Sequence, residues 1–218
     1  MRMKLRRRAV PIAKRRGRPP GKNRPVAHRE RERFVRRAVA HVRLRVRADV
    51  PRLRSRKLAR ALRRAFVGGC EKPGFALCQF SIQNNHLHLI CEADNHEALG
   101  RAMQGLGVRA AKAINAAFGR RGSVFSERYR VTRVTSPRQL RNTLCYVLHN
   151  ARRHGARFSG VDYFSSARWF DGFSRPVRLP DSETGETPVA PPRTTLLKKR
   201  WRWIGLIDPD ETPAGLQR

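Results

Sequence analysis

Residues Asn84–Ile90 read NNHLHLI. His86 and His88 stand one residue apart inside an apolar run. In a strand, side chains at i and i+2 leave the same face. Both imidazoles therefore share one side of a sheet, while Leu87 and Leu89 enter a core on the other. Two imidazoles side by side make half a site for a divalent metal. The same pattern also occurs incidentally in strands, so the rest of the chain has to decide.

Working outward, residues 75–82 predict a strand and Gln83–Asn85 a tight turn, so the two strands pair as a hairpin. Upstream, residues 38–46 alternate. Val42, Leu44 and Val46 face inward, and His41, Arg43, Arg45 and Arg47 face solvent. Pro51 is expected to open a helix whose apolar stripe is Leu58, Leu62, Ala65 and Phe66 and which Gly68-Gly69 ends. Downstream, Asp94 or Asn95 caps a helix over about 96–118, with Leu99, Met103, Leu106, Ala110 and Ile114 at helical spacing. Its glycines, Gly100, Gly105 and Gly107, mark a kink or a close approach of backbones. A fourth strand covers roughly 124–134. Ser136-Pro137 starts a third helix that runs to about Arg153 and stops at Gly155. Its apolar face is Leu140, Leu144, Val147 and Leu148. Tyr146 and Asn150, four apart, are expected to stack on the opposite, solvent side.

The order strand, helix, strand, strand, helix, strand matches the α+β, ferredoxin-like split βαβ plan, an antiparallel sheet with two helices on one face. The tyrosine-bearing helix is an addition at the C-terminal end. Three regions follow: a basic arm over 1–34, a domain over 35–158, and an extension over 159–218. Part of the extension, about 176–192, has the composition of a linker. Residues 196–207, with Trp201 and Trp203, are expected to dock back as a short strand or helix.

The 218 residues carry 49 Lys+Arg against 16 Asp+Glu, a net charge of +33. Such a charge calls for a polyanion, and nucleic acid is the first candidate. No apolar run approaches the length of a membrane span, and the basic N-terminus lacks the apolar core of a signal peptide, so a cytoplasmic location is expected. Cys70, Cys78, Cys91 and Cys145 have no CxxC spacing and suggest neither a zinc knuckle nor a disulfide framework. The arm contains KRRGRPPGK at 14–22, whose Arg16-Gly17-Arg18-Pro19 is similar to an AT-hook. The narrow minor groove of A·T-rich duplex attracts such arginines.

The histidine pair and YVLHNARRHG at Tyr146–Gly155 together resemble the HUH single-tyrosine transposases, closest to the REP-associated tyrosine transposases, over about 38–170. The resemblance implies a ferredoxin-like fold and Mg²⁺ or Mn²⁺ held by His86 and His88. It places Asn150 where the family commonly has a third ligand, and makes Tyr146 the nucleophile. It further implies cleavage of single-stranded DNA beside a hairpin through a 5′-phosphotyrosine. The chemistry suits the residue types: neutral ligands leave an ion its charge for phosphate oxygens, and positive charge from Arg152, Arg153 or the ion favours loss of the phenol proton. Phosphate contacts are expected from Arg43, Arg45, Arg47, Arg141, Arg152 and Arg153, and from Arg16 and Arg18 in the arm. A monomer suffices if the tyrosine helix folds on its own sheet; a swapped helix needs a homodimer. The alternative is a nucleic-acid-binding protein without catalysis on the same fold. A histidine-triad hydrolase needs a further alternating histidine, but Asn84 and Ile90 occupy those positions. Glu127 is expected to pair with Arg128.

Overall fold

The computed structural model describes residues 33–156, 158, 160–179 and 186–214. The arm up to residue 32, with Arg16 and Arg18, lies outside the described residues, as does part of the expected linker. Five strands form one antiparallel sheet: β1 (Ala38–Arg45), β2 (Glu71–Lys72), β3 (Phe75–Ile82), β4 (His86–Ala93) and β5 (Arg130–Val134). Their order is β2-β3-β4-β1-β5, and β4 and β1 are central.

Alternation assigns each strand residue to a face. Val42, Leu44, Leu77, Phe80, Ile82, Leu87 and Leu89 form one core with α1 (Arg56–Val67) and α2 (His96–Phe118). These helices contribute Leu58, Leu62, Phe66, Leu99, Met103, Leu106 and Ile114. The expected arrangement of two helices on one face is therefore present. On the other face, Val39, Ala76, Cys78, Ile90 and Val134 pack against α3 (Pro137–Leu148) and against Leu197, Trp201 and Ile207 of the C-terminal extension. The ladder between β3 and β4 shifts register between Leu77 and Gln79. Such a bulge turns two successive residues to the same side.

Local chemistry explains the helix limits. Ser55, not Pro51, caps α1 by accepting from the Leu58 N–H. Pro51 instead lies in a loop whose Leu53 N–H bonds the Asn84 carbonyl beside the histidine strand. Asn95 caps α2 through the Ala98 N–H. The helix runs 23 residues without interruption, so its glycines impose no break, and it ends at Gly119 with φ 61°. Ser136 caps α3, with Pro137 in its first turn. The helix ends at Leu148, however, and a separate turn, α4 (Asn150–Arg153), follows His149, whose φ of −110° departs from helical values. The fourth strand is shorter than expected. Only Arg130–Val134 pairs with β1, while Val46 and Phe125 make an isolated bridge. Between them the chain leaves the ladder, and Tyr129 packs on the core.

The extension belongs to the same compact unit as the domain. Ser166 accepts from the Phe80 N–H, Ala190 donates to the Leu77 carbonyl, and Asp162 receives Arg54 through both oxygens. Residues 196–207 dock as short helical pieces, with α5 at Thr195–Lys198 and a 3-10 turn at Arg200–Ile204. Trp201 is buried and its indole N–H donates to the Leu197 carbonyl. The extension thus packs beside α3 on the same face of the sheet. No helix among the described residues is long and apolar enough to cross a membrane.

Candidate functional site

The face of the sheet that carries α3 holds a polar lane where the helix leaves it open. Cross-strand register sets Ser81, His88, Arg43 and Arg130 side by side across four strands. Next to that row, His86 pairs with Arg45. On the other flank, Ile90 and His41 face one another, with Thr132 beyond. The two histidines of the HLH run therefore share a face as alternation requires, and arginines of β1 and β5 border them.

The imidazoles form a connected chain. His86 Nε2 and His88 Nε2 are 2.8 Å apart. His88 Nδ1 lies 2.9 Å from His41 Nε2, and the His41 and His88 rings lie edge to edge, centroids 5.0 Å apart and 23° from parallel. His86 Nδ1 lies 2.7 Å from Asn85 Oδ1. Burial, with Arg43 next, lowers His41 and His86 from their ordinary value to about 4. Burial, then the neighbouring His41 and His86, lowers His88 to about 2. All three rings are thus neutral near pH 7, the form in which imidazole ligates metals.

Tyr146 reaches this chain from α3. Its ring stands edge-on to His88 with centroids 5.2 Å apart, and edge-on to His41 at 6.2 Å. The Arg153 guanidinium lies 5.9 Å from the Tyr146 ring centroid. Tyr146 and Asn150 do not stack on the solvent side of a continuous helix: Tyr146 is half-buried against the sheet face. The break at His149 resets the helical count, and Asn150 is fully buried, with neither amide atom hydrogen-bonded. An orphaned buried amide is costly. His149 is buried too and stacks on Phe173.

The spacing of His86 and His88 fits a divalent ion. Two nitrogens each about 2.1 Å from an octahedral ion, at right angles, stand about 3 Å apart, close to the Nε2 separation between His86 and His88. Among the described residues no three His, Cys, Asp or Glu side chains are grouped to hold a metal. The Asn150 amide, a donor of another type, is buried without a partner.

The arginines divide. Arg43 is half-buried, and Arg45, Arg47 and Arg153 are exposed. Arg47 also pairs with Asp49. Arg141 and Arg152 turn inward. Arg141 makes a two-pronged pair with Glu211 and donates to the Leu206 carbonyl. Arg152 donates to Asp210 and to the Phe158 and Gly160 carbonyls. The acids of residues 208–211 thus hold the extension to the tyrosine helix and to α4. Glu127 pairs with Arg130. His41, assigned by alternation to a solvent-facing row, is the site residue that sequence reasoning missed. Its alternation was correct, but only the cross-strand register brings it to His88.

A family model described as "Transposase IS200 like" matches residues 35–150. Among solved structures, one titled as a REP-associated tyrosine transposase bound to a REP hairpin superposes with a TM-score of 0.56 at 14% identity, over 78% of this chain and 100% of that one. A putative transposase from Deinococcus radiodurans R1 matches at 16% identity over 47% of this chain and 82% of its own, with a TM-score of 0.39. No curated protein matches. The first structural likeness bears on fold alone, whereas the family model spans more than half of the sequence and takes in both the histidine pair and the tyrosine. This chain therefore belongs to the IS200-like transposase family.

Proposed function

We propose that this transposase cleaves and rejoins single-stranded DNA beside a hairpin, with Tyr146 as nucleophile and a Mg²⁺ or Mn²⁺ ion held by His86, His88 and Asn150. One observation supports this above the others: Tyr146 stands edge-on to His88, whose Nε2 faces that of His86. A bound ion would withdraw charge from the phosphate oxygens and so ease attack at phosphorus. The Tyr146 oxygen forms the new bond to phosphorus and loses its proton, and the 3′ oxygen of the preceding nucleotide leaves. The products are a 5′-phosphotyrosine and a free 3′-OH, and the reverse attack rejoins strands. Arg153, beside the phenol ring, brings positive charge to where the phosphate would sit. Arg43, Arg45 and Arg47 contact backbone phosphates next to the histidines. Arg141 serves instead to seat the tyrosine helix, and Arg152 the turn that follows it. Through Arg16 and Arg18 the arm would grip A·T-rich duplex. The structural neighbour's REP hairpin makes a hairpin the natural first substrate to try. Because Tyr146 lies beside the histidines of its own chain, a monomer suffices.

The test is a denaturation-resistant protein–DNA adduct, formed with labelled hairpin-containing single strands and Mn²⁺. Wild type should form it, Tyr146→Phe should not, and EDTA should abolish it. An adduct that survives in Tyr146→Phe names the wrong nucleophile. Tight binding of a cleavable strand without any adduct would favour a binding protein that lacks catalysis.

A further inference from the structure

We propose that His41 is a positioning residue for His88: its Nε2 accepts the His88 Nδ1 proton and so turns the His88 Nε2 lone pair toward an ion shared with His86. The inference rests on the reading of His86 and His88 as metal ligands. It follows from the order of the hydrogen bonds. Asn85 Oδ1 only accepts, so its contact with His86 Nδ1 fixes the His86 proton on that nitrogen. His86 Nε2 then carries a lone pair, aimed at His88 Nε2 at 2.8 Å.

Two proton arrangements satisfy the chain. In the metal-free site, His88 carries its proton on Nε2 and donates to His86, while His88 Nδ1 accepts from His41 Nε2. Every bond then points toward Asn85. With an ion between the two Nε2 atoms, the His88 proton must sit on Nδ1. The 2.9 Å contact to His41 survives only if His41 Nε2 accepts, with its own proton on Nδ1. Both arrangements hold the same number of protons on the three rings. His41 thus lets the buried His88, 2% exposed, change partner without leaving a ring nitrogen unpaired. An outer hydrogen bond of this kind orients a ligating histidine and raises its basicity. The edge-on Tyr146 ring and the opposition of His41 to Ile90 on the neighbouring strand hold His41 in place.

Calorimetric titration of the full chain with Mn²⁺ tests this without any cleavage. His41→Phe keeps a flat ring but removes the acceptor, and should weaken Mn²⁺ binding about 10–100-fold. His41→Gln places an amide near the former Nε2 and should recover affinity to within about three-fold of wild type. Wild-type affinity in His41→Phe, or a His41→Gln variant as weak as His41→Phe, overturns the inference. Should His88→Ala also bind Mn²⁺ like wild type, it is the metal-site reading that fails. A measurement on the unaltered protein decides even if His41→Phe does not fold. Nitrogen-15 NMR of the Mg²⁺-loaded chain should show the His41 and His88 protons on Nδ1, and a His41 proton on Nε2 would overturn the inference.

Discussion

The two faces of the sheet obey different rules. Toward α1 and α2, Val42, Leu44, Phe80, Ile82, Leu87 and Leu89 are apolar and nearly or wholly buried. Toward α3, the same strands present Val39 and Ile90 at one end and His41, Arg43, Arg45, His86 and His88 at the other. The first face is a packing surface whose energy scales with buried area. The second is only partly covered, and its buried polar groups are held by bonds to one another and to the C-terminal extension. The contrast teaches that adjacent residues of a single strand, His88 and Leu89, can do separate jobs because the strand period is two.

Substitution at that adjacent pair is the strongest way to break the contrast. Leu89→Ala should destabilise the fold by about 2–5 kcal/mol, the cost of a large-to-small change in a closed core. His88→Ala should cost about 1 kcal/mol or less, because the ring makes only the hydrogen bonds to His41 and His86 on a partly open polar lane and fills no closed apolar core. It should nevertheless abolish Mn²⁺ binding. Chemical denaturation of the two variants gives both numbers, and a larger loss from His88→Ala than from Leu89→Ala would show that the site face carries the stability.

The core face was the more legible in the sequence. Alternation in β1 and β4, the cap Asn95, and the apolar stripes of α1 and α2 all follow from local rules. Three features of the site face did not. His41 looked like one more outward polar residue, since alternation gives a face but not its neighbour across the ladder. Asn150 was counted along a continuous helix, and one non-helical residue at His149 was enough to bury it. Arg141 and Arg152 looked free because their partners, Glu211 and Asp210, lie about 60–70 positions on, and no periodicity links residues so far apart.

The site face depends on the extension in a way the core face does not. Glu92, on the same face as Val39 and buried at its far end, accepts from the backbone N–H groups of Arg193 and Thr194 and from the Thr194 hydroxyl. Glu92→Gln keeps the shape but offers one acceptor oxygen where two are used. It should cost about 1–3 kcal/mol, the penalty of an unsatisfied buried donor. Hydrogen exchange should speed up first in residues 193–207, with the α1–α2 core unchanged. Uniform loss of protection across both faces would mean that the two are not separable.

The smallest effect is expected where the extension meets the tyrosine helix. The hydrogen bonds from Arg141 hold the Glu211 carboxyl below its ordinary value. A group whose folded-state value is depressed stabilises the fold above its unfolded value and loses that contribution as pH falls through the folded one. Glu211→Gln should therefore lower stability by about 0.5–1 kcal/mol at pH 7, as a partly exposed pair allows. The gap from wild type should close as the pH falls below about 4.3, the ordinary glutamate value. Because the pair seats α3 rather than the sheet, the variant should also weaken adduct formation by Tyr146 while leaving Mn²⁺ affinity at His86 and His88 intact. A gap that stays constant with pH would show that Glu211 acts through packing rather than charge. A parallel fall in Mn²⁺ affinity would show that the extension supports the histidines and not only the helix.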